Sequence, residues 1–131
     1  MRRRTGRFVW LVAALLLTVS VRAHHNMSAA FDFSDRVSLT GTLTKVDWRN
    51  PHIYLFLDVK REGDQVEAWS IEGPSPSFFR MREISSDDFK VAVGKTVSAE
   101  ASRARDHSKS GLIRTITLPD GKVVSLCPQN C

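Results

Sequence analysis

The sequence predicts a mainly β protein, a small OB-like β-barrel of about five to six strands with one short helix, behind an N-terminal signal peptide. Three observations carry that expectation. Runs between Val37 and Leu126 alternate apolar and polar residues and are separated by turn chemistry. Three such runs precede a short helical segment and two more follow it, which is the element order of an OB-type barrel. Ahead of them stands a basic stretch followed by a mostly apolar one.

The leading segment is read first because it changes how the rest is weighed. Arg2, Arg3, Arg4 and Arg7 make a basic n-region, and Phe8 to Val21 is an apolar h-region. Val21-Arg22-Ala23 puts small residues at the −3 and −1 positions, so cleavage is expected after Ala23. The apolar run is shorter than the roughly 20 residues that cross a bilayer. No cysteine follows the cut to take a lipid. The expectation is Sec export to a periplasmic or secreted location, with no stable membrane anchor after cleavage.

Charge then takes on a different meaning. The chain has 19 basic and 14 acidic residues, but five of the arginines lie within residues 1–23, which leaves 14 of each sign in the mature chain. A formally neutral domain gives no support to nucleic-acid binding, which needs a retained basic patch. Residues 24–131 suit one domain able to bury a modest core.

Within that domain, residues 24–36 lack clean periodicity and read as an N-terminal arm, pinned by Phe31 and Phe33. The barrel domain is expected over 37–126. Val37 to Trp48 alternates through Val37, Leu39, Gly41 and Leu43, then slips a step to Val46, which predicts a bulge near Thr44-Lys45. Asn50-Pro51 breaks the run and turns the chain. Ile53 to Lys60 is the clearest strand, with Ile53, Leu55, Leu57 and Val59 on one face. Glu62-Gly63-Asp64 turns it into Val66 to Glu72, where Trp69 and Ile71 face inward.

Gly73-Pro74-Ser75-Pro76 ends this three-strand meander. Ser75 as an N-cap with Pro76 in the first turn predicts a short helix over Ser77 to Ile84. Ser85-Ser86-Asp87-Asp88 can cap another brief turn. Thr96 to Ser102 alternates as a strand, a polar loop spans Arg105 to Gly111, and Leu112 to Leu118 follows. Pro119-Asp120-Gly121 turns into a last short strand over Lys122 to Leu126, and residues 127–131 form a cysteine-containing tail.

Taken together, Ala23-His24-His25, the strand Leu39 to Val46, Asp47-Trp48-Arg49-Asn50-Pro51-His52 and Leu118-Pro119-Asp120-Gly121-Lys122 resemble an uncharacterised family of exported Gram-negative bacterial proteins, a domain of unknown function. The resemblance spans nearly the whole mature chain. It implies a periplasmic β domain and supplies no activity. The tail bearing Cys127 and Cys131 departs from the family pattern.

The candidate chemistry sits in three places. Cleavage after Ala23 would make His24 the N-terminus, where the free α-amine and the imidazole Nδ1 can chelate one ion. That pair plus one more imidazole is the donor set of a histidine brace, which suits copper, with zinc as the alternative. His25 and His52 are the candidates for the further donor, although His52, just after a turn proline, is equally suited to a structural hydrogen bond. Trp48 and Arg49 could bind a planar or anionic ligand, or Trp48 could plug the barrel. His107 reads as solvated in its polar loop. Cys127 and Cys131 have a Cys-x-x-x-Cys spacing that fits a short disulfide or a thiol pair for soft metal or redox exchange.

No nucleophile elbow, zinc-protease helix motif or phosphate-binding glycine loop is present, and Asp47, Asp58 and Glu72 read as solvated strand carboxylates. The function expected is a non-enzymatic periplasmic binding module, with copper or zinc as the candidate cofactor at His24, His25 and His52. The alternative is an envelope interaction domain that holds a peptide, glycan or small ligand on the barrel face near Trp48 and Phe78.

Overall fold

The computed structural model describes residues 27–126. In chain order these form α1 (Met27–Ala30), β1 (Phe31–Asp47), β2 (Tyr54–Lys60), a 3-10 turn (Glu62–Asp64), β3 (Val66–Glu72), α2 (Pro76–Arg80), α3 (Ser86–Lys90), β4 (Thr96–Ala104), β5 (Ser110–Thr117) and β6 (Val123–Ser125). The signal segment, His24, His25, Cys127 and Cys131 lie outside the described residues. No described helix is long and apolar enough to cross a membrane.

The strands follow the order β3-β2-β1-β4-β5-β6, and a further pairing of β3 with β5 closes a ring of five, with β6 added beside β5. Closure is parallel, Ser70 to Glu72 against Ser110 to Leu112, while the other pairings are antiparallel. Stepping across the ring from Asp47 to Tyr54, Glu72, Leu112 and Ser102 returns to β1 at Arg36, eleven residues upstream. That stagger is the tilt a closed small barrel requires. The expected mainly β, OB-like barrel is what the chain forms.

One strand, β1, serves two partners: its first half pairs with β4 and its second with β2. The crossover needs a glycine, because a Cβ on Gly41 would stand 2.4 Å from the Asp58 carbonyl oxygen. Just beyond it the register slips between Leu43 and Lys45, where the sequence predicts a bulge, and the Thr44 hydroxyl donates to the Phe56 carbonyl at 3.1 Å. A second slip, between Asp32 and Arg36, is tied off by Ser34, whose N–H and hydroxyl both donate to Asp32 Oδ1. This second slip hides the alternation of residues 31–36. The segment expected as an arm over 24–36 is therefore helix over Met27–Ala30 and strand from Phe31 onward, with Phe31 buried.

The barrel fills with the inward faces of the strands, including Leu39, Leu43, Leu55, Leu57, Trp69, Ile71, Val97 and Ile116, each 2% exposed or less. Burying one such side chain contributes roughly 1.5–3 kcal/mol. One end is plugged by the β3–β4 connection. The helix expected over Ser77 to Ile84 is shorter: α2 stops at Arg80, and Glu83 takes a left-handed φ of 57° that no helix continues through. Ser85 then starts α3 with a capping box, its hydroxyl accepting from Asp87 N and its own N–H donating to Asp88 Oδ2. The two helices deliver Phe79 and Phe89, both fully buried, into the barrel mouth.

Candidate functional site

The β1–β2 turn carries three of the residues singled out from the sequence, Trp48, Arg49 and His52. Asp47, Tyr54 and Glu72 form one row across three strands, fixed by the registers Asp47 to Tyr54 and Tyr54 to Glu72. Inward neighbours such as Leu55 and Ile71 fill the core, so this row lies on the outer face. His52, one residue past the cis Asn50–Pro51 bond, places Nδ1 2.6 Å from Glu72 Oε1, with the two side chains 23% and 14% exposed. Nδ1–H donates to the carboxylate, which leaves Nε2 as the second ring nitrogen. Carboxylates hold metal-ligating imidazoles in the same way. Tyr54 hydrogen-bonds the same Glu72; burial and the adjacent Glu72 charge push its phenol above the ordinary tyrosine value.

Glu72 thus differs from the solvated strand carboxylate the sequence suggests. The hairpin register about Gly63 sets residue 54 opposite residue 72, and that symmetry is the signal that could have placed Glu72 beside the residues after Pro51. Trp48 and Arg49 part company. Trp48 turns inward, its ring centroid 4.9 Å from Phe79 and 5.4 Å from Phe89. Arg49 faces solvent, 70% exposed, and pairs with Asp47 at 3.2 Å. Of the two roles open to Trp48, its packing against Phe79 and Phe89 is that of a plug.

At the opposite end of β1 the chain is held by a residue to which the sequence assigned no role. Arg105, in the β4–β5 turn, donates from Nε to the Ser28 carbonyl at 2.9 Å and from its backbone N–H to the Ala30 carbonyl at 2.9 Å. Its guanidinium also meets Asp32 Oδ2 at 3.4 Å. The segment entering the barrel is therefore clasped to the β4–β5 turn. An open hollow of about 520 Å³ lies between them, lined by Ala29, Phe31, Arg105, Asp106, Ser108 and Ser110 among others.

A third feature lies on the outer face of β1, β2 and β3. An open hollow of about 450 Å³ there includes Thr44, Lys45, Phe56, Asp58 and Ser70 in its lining. Alternation on β2 sends Tyr54 and Phe56 outward together, and the Lys45 ammonium lies 5.3 Å from the Phe56 ring centroid. Nearby, Glu67 ties three groups into one network: Lys109, Arg61 at 2.9 Å and the Trp69 indole N–H at 3.0 Å. Hydrogen bonds from Lys109, Trp69 and Arg61, in that order, hold the Glu67 carboxyl down at about 2.

Among the described residues no group of three His, Cys, Asp or Glu side chains is arranged to hold a metal ion. His52 and Glu72 are two groups without a third. The residues matched by a family model run from 13 to 114, well over half of the chain. The chain belongs to a family of unknown function (DUF6152). For this DUF6152 chain the match covers all of β1 to β4, ends within β5 at Arg114, and leaves β6 and the cysteine tail outside it. No curated protein and no solved structure matches the chain. The chemistry of DUF6152 must therefore be argued from the residues.

Proposed function

We propose that the mature chain is an exported, non-enzymatic binding module whose N-terminus, freed by cleavage after Ala23, takes copper or zinc through His24 and His25. The observation that supports this is the Arg105 clasp. The chain is fixed at the Ser28 and Ala30 carbonyls, so a terminus at His24 leaves the barrel only four residues from a held point. A chelating amine and imidazole on a short tether lose less freedom on binding than the same groups on a long loose tail. The location proposed is the periplasm or exterior, where such an amine exists.

The test is Cu(II) and Zn(II) titration of exported protein whose intact mass confirms His24 as first residue, beside a form with one alanine kept before His24. Binding by the native terminus, at least tenfold tighter than by the extended form, supports the proposal. Equal affinity overturns it. The acylated His24 nitrogen of the extended form is no longer the amine the chelate needs.

A second reading is favoured by the outward Phe56 ring beside Lys45, a stacking surface for a glycan or peptide in the hollow on β1 to β3. Phe56→Ala would abolish such binding and leave metal affinity unchanged.

A further inference from the structure

Among the described residues Arg114, on β5, is the one charged side chain that is buried, 6% exposed, and Ser102 on β4 beside it is fully enclosed. Buried charges are ordinarily neutralised by a partner of opposite sign. The Arg114 guanidinium has five N–H donors, yet its hydrogen bond runs from Nη1 to the neutral Ser102 hydroxyl, at 3.3 Å. Among the described residues it meets no carboxylate. No fully enclosed side-chain nitrogen there lacks a partner, so Nε and Nη2 of this guanidinium reach the surface.

Local structure puts the side chain there. Glu100 faces Thr115 and Ala101 faces Ile113, so β5 has one residue more than β4 at this point and Arg114 has no ladder partner on β4. Such a bulge re-aims the side chain it releases. The row Val37, Ala101 and Ile113 belongs to the core, so by alternation the next row, Arg36, Ser102 and Leu112, lies on the outer face. Arg114 therefore reaches the residue whose other neighbour is Arg36, which is exposed and makes no ion pair with a described residue. Asp35 is already paired with Arg103 at 3.2 Å and Asp32 with Arg105 at 3.4 Å. Glu100, two residues from Ser102 on the same outer face, pairs with neither Arg36 nor Arg114.

We propose that Arg36, Ser102 and Arg114 form an oxyanion site on the outer face of β1, β4 and β5, whose ligand is a phosphate dianion, free or as a monoester. Two guanidinium groups without carboxylate partners offer two positive charges, and a phosphate monoester carries about −1.5 to −2 at neutral pH. A carboxylate carries one. The planar fork of arginine fits phosphate oxygens through paired N–H bonds. Ser102 fixes one nitrogen of Arg114 in advance and leaves its outward edge to the ligand, so less freedom is lost on binding. The site uses none of the residues of the metal reading and stands or falls without it.

The experiment is calorimetric titration of the mature protein with inorganic phosphate, glycerol 3-phosphate and acetate at fixed ionic strength and about pH 7.5, where the phosphates are dianions. Beside it stand Arg36→Gln, Arg114→Lys and, as a control at an exposed arginine on α2, Arg80→Gln, each checked for folding by circular dichroism. Lysine at 114 keeps the charge and loses the fork. The expected result is saturable phosphate binding at least about tenfold tighter than acetate, weakened at least about tenfold by Arg36→Gln and by Arg114→Lys and unchanged by Arg80→Gln. Should Arg114→Lys fail to fold, Arg36→Gln at its exposed position decides alone. Both sources satisfy the proposal: tighter binding of glycerol 3-phosphate assigns a monoester, and equal or tighter binding of inorganic phosphate assigns the free ion. No saturable phosphate binding by the folded parent, acetate bound as tightly as phosphate, parent-like affinity in Arg36→Gln, or an equal loss in Arg80→Gln would each overturn the site.

Discussion

The two ends of β1 are built from different materials. At its end, Trp48 meets Phe79 and Phe89 inside the barrel mouth, and the outer polar row is closed by the half-buried pair His52 and Glu72. At its start, α1 is held by backbone carbonyls on Arg105 and by an ion pair to Asp32 that water reaches freely. Apolar burial and enclosed hydrogen bonds carry stability, while exposed ion pairs carry little. The first end therefore specifies the fold, and the second contributes little to the stability of the barrel.

The largest effect that sharpens this contrast is at the plug. Phe89→Ala removes a fully buried ring from beneath Trp48 and is expected to cost about 3–5 kcal/mol in denaturant unfolding. A loss below about 1 kcal/mol would mean that the mouth is not a packed core. His52→Ala leaves the Glu72 carboxylate without its imidazole and is expected to cost about 1–3 kcal/mol by the same measurement. Arg105→Ala acts at the other end and should change global stability by less than about 1 kcal/mol. Its signature is local: faster amide exchange over residues 30–32 and weaker Cu(II) binding by the mature chain.

The smallest effect is electrostatic and appears only in acid. Glu67 and Asp88 both sit near 2 in the fold, lowered from 4.5 and 3.8. For Asp88 the main causes are the Ser85 N–H and then Lys122. Their stabilisation is present above those ordinary values and drains away as pH falls toward 2, because unfolded carboxyls take up protons first. Glu67→Gln should make the fall in stability between pH 5 and pH 2.5 shallower, with Asp88 supplying what remains. An unchanged slope would remove Glu67 from the account.

Parts of this arrangement were legible in the residues, for local reasons. The slip from Leu43 to Val46 announces the bulge at Thr44, and Ser85 with Asp88 announces the cap of α3. Each is a signal written within a few positions. What is not legible depends on partners far along the chain. The start of β1 at Phe31 is masked because Asp32, Ser34 and Asp35 bulge against β4. The role of Glu72 needs the β2–β3 register, the plug position of Trp48 needs the helices of residues 76–90, and the clasp on α1 needs Arg105 of the β4–β5 turn bound to Ser28. His24 and His25 were candidates on chemistry alone. Both lie outside the described residues.

The most direct measurement of the central claim is the Cu(II) dissociation constant of the mature protein against that of the form with one alanine before His24. The account predicts that the added residue weakens binding at least tenfold while the unfolding midpoint of the metal-free protein stays where it was. Equal dissociation constants would contradict it and leave the outer hollow at Phe56 as the place to look for a ligand.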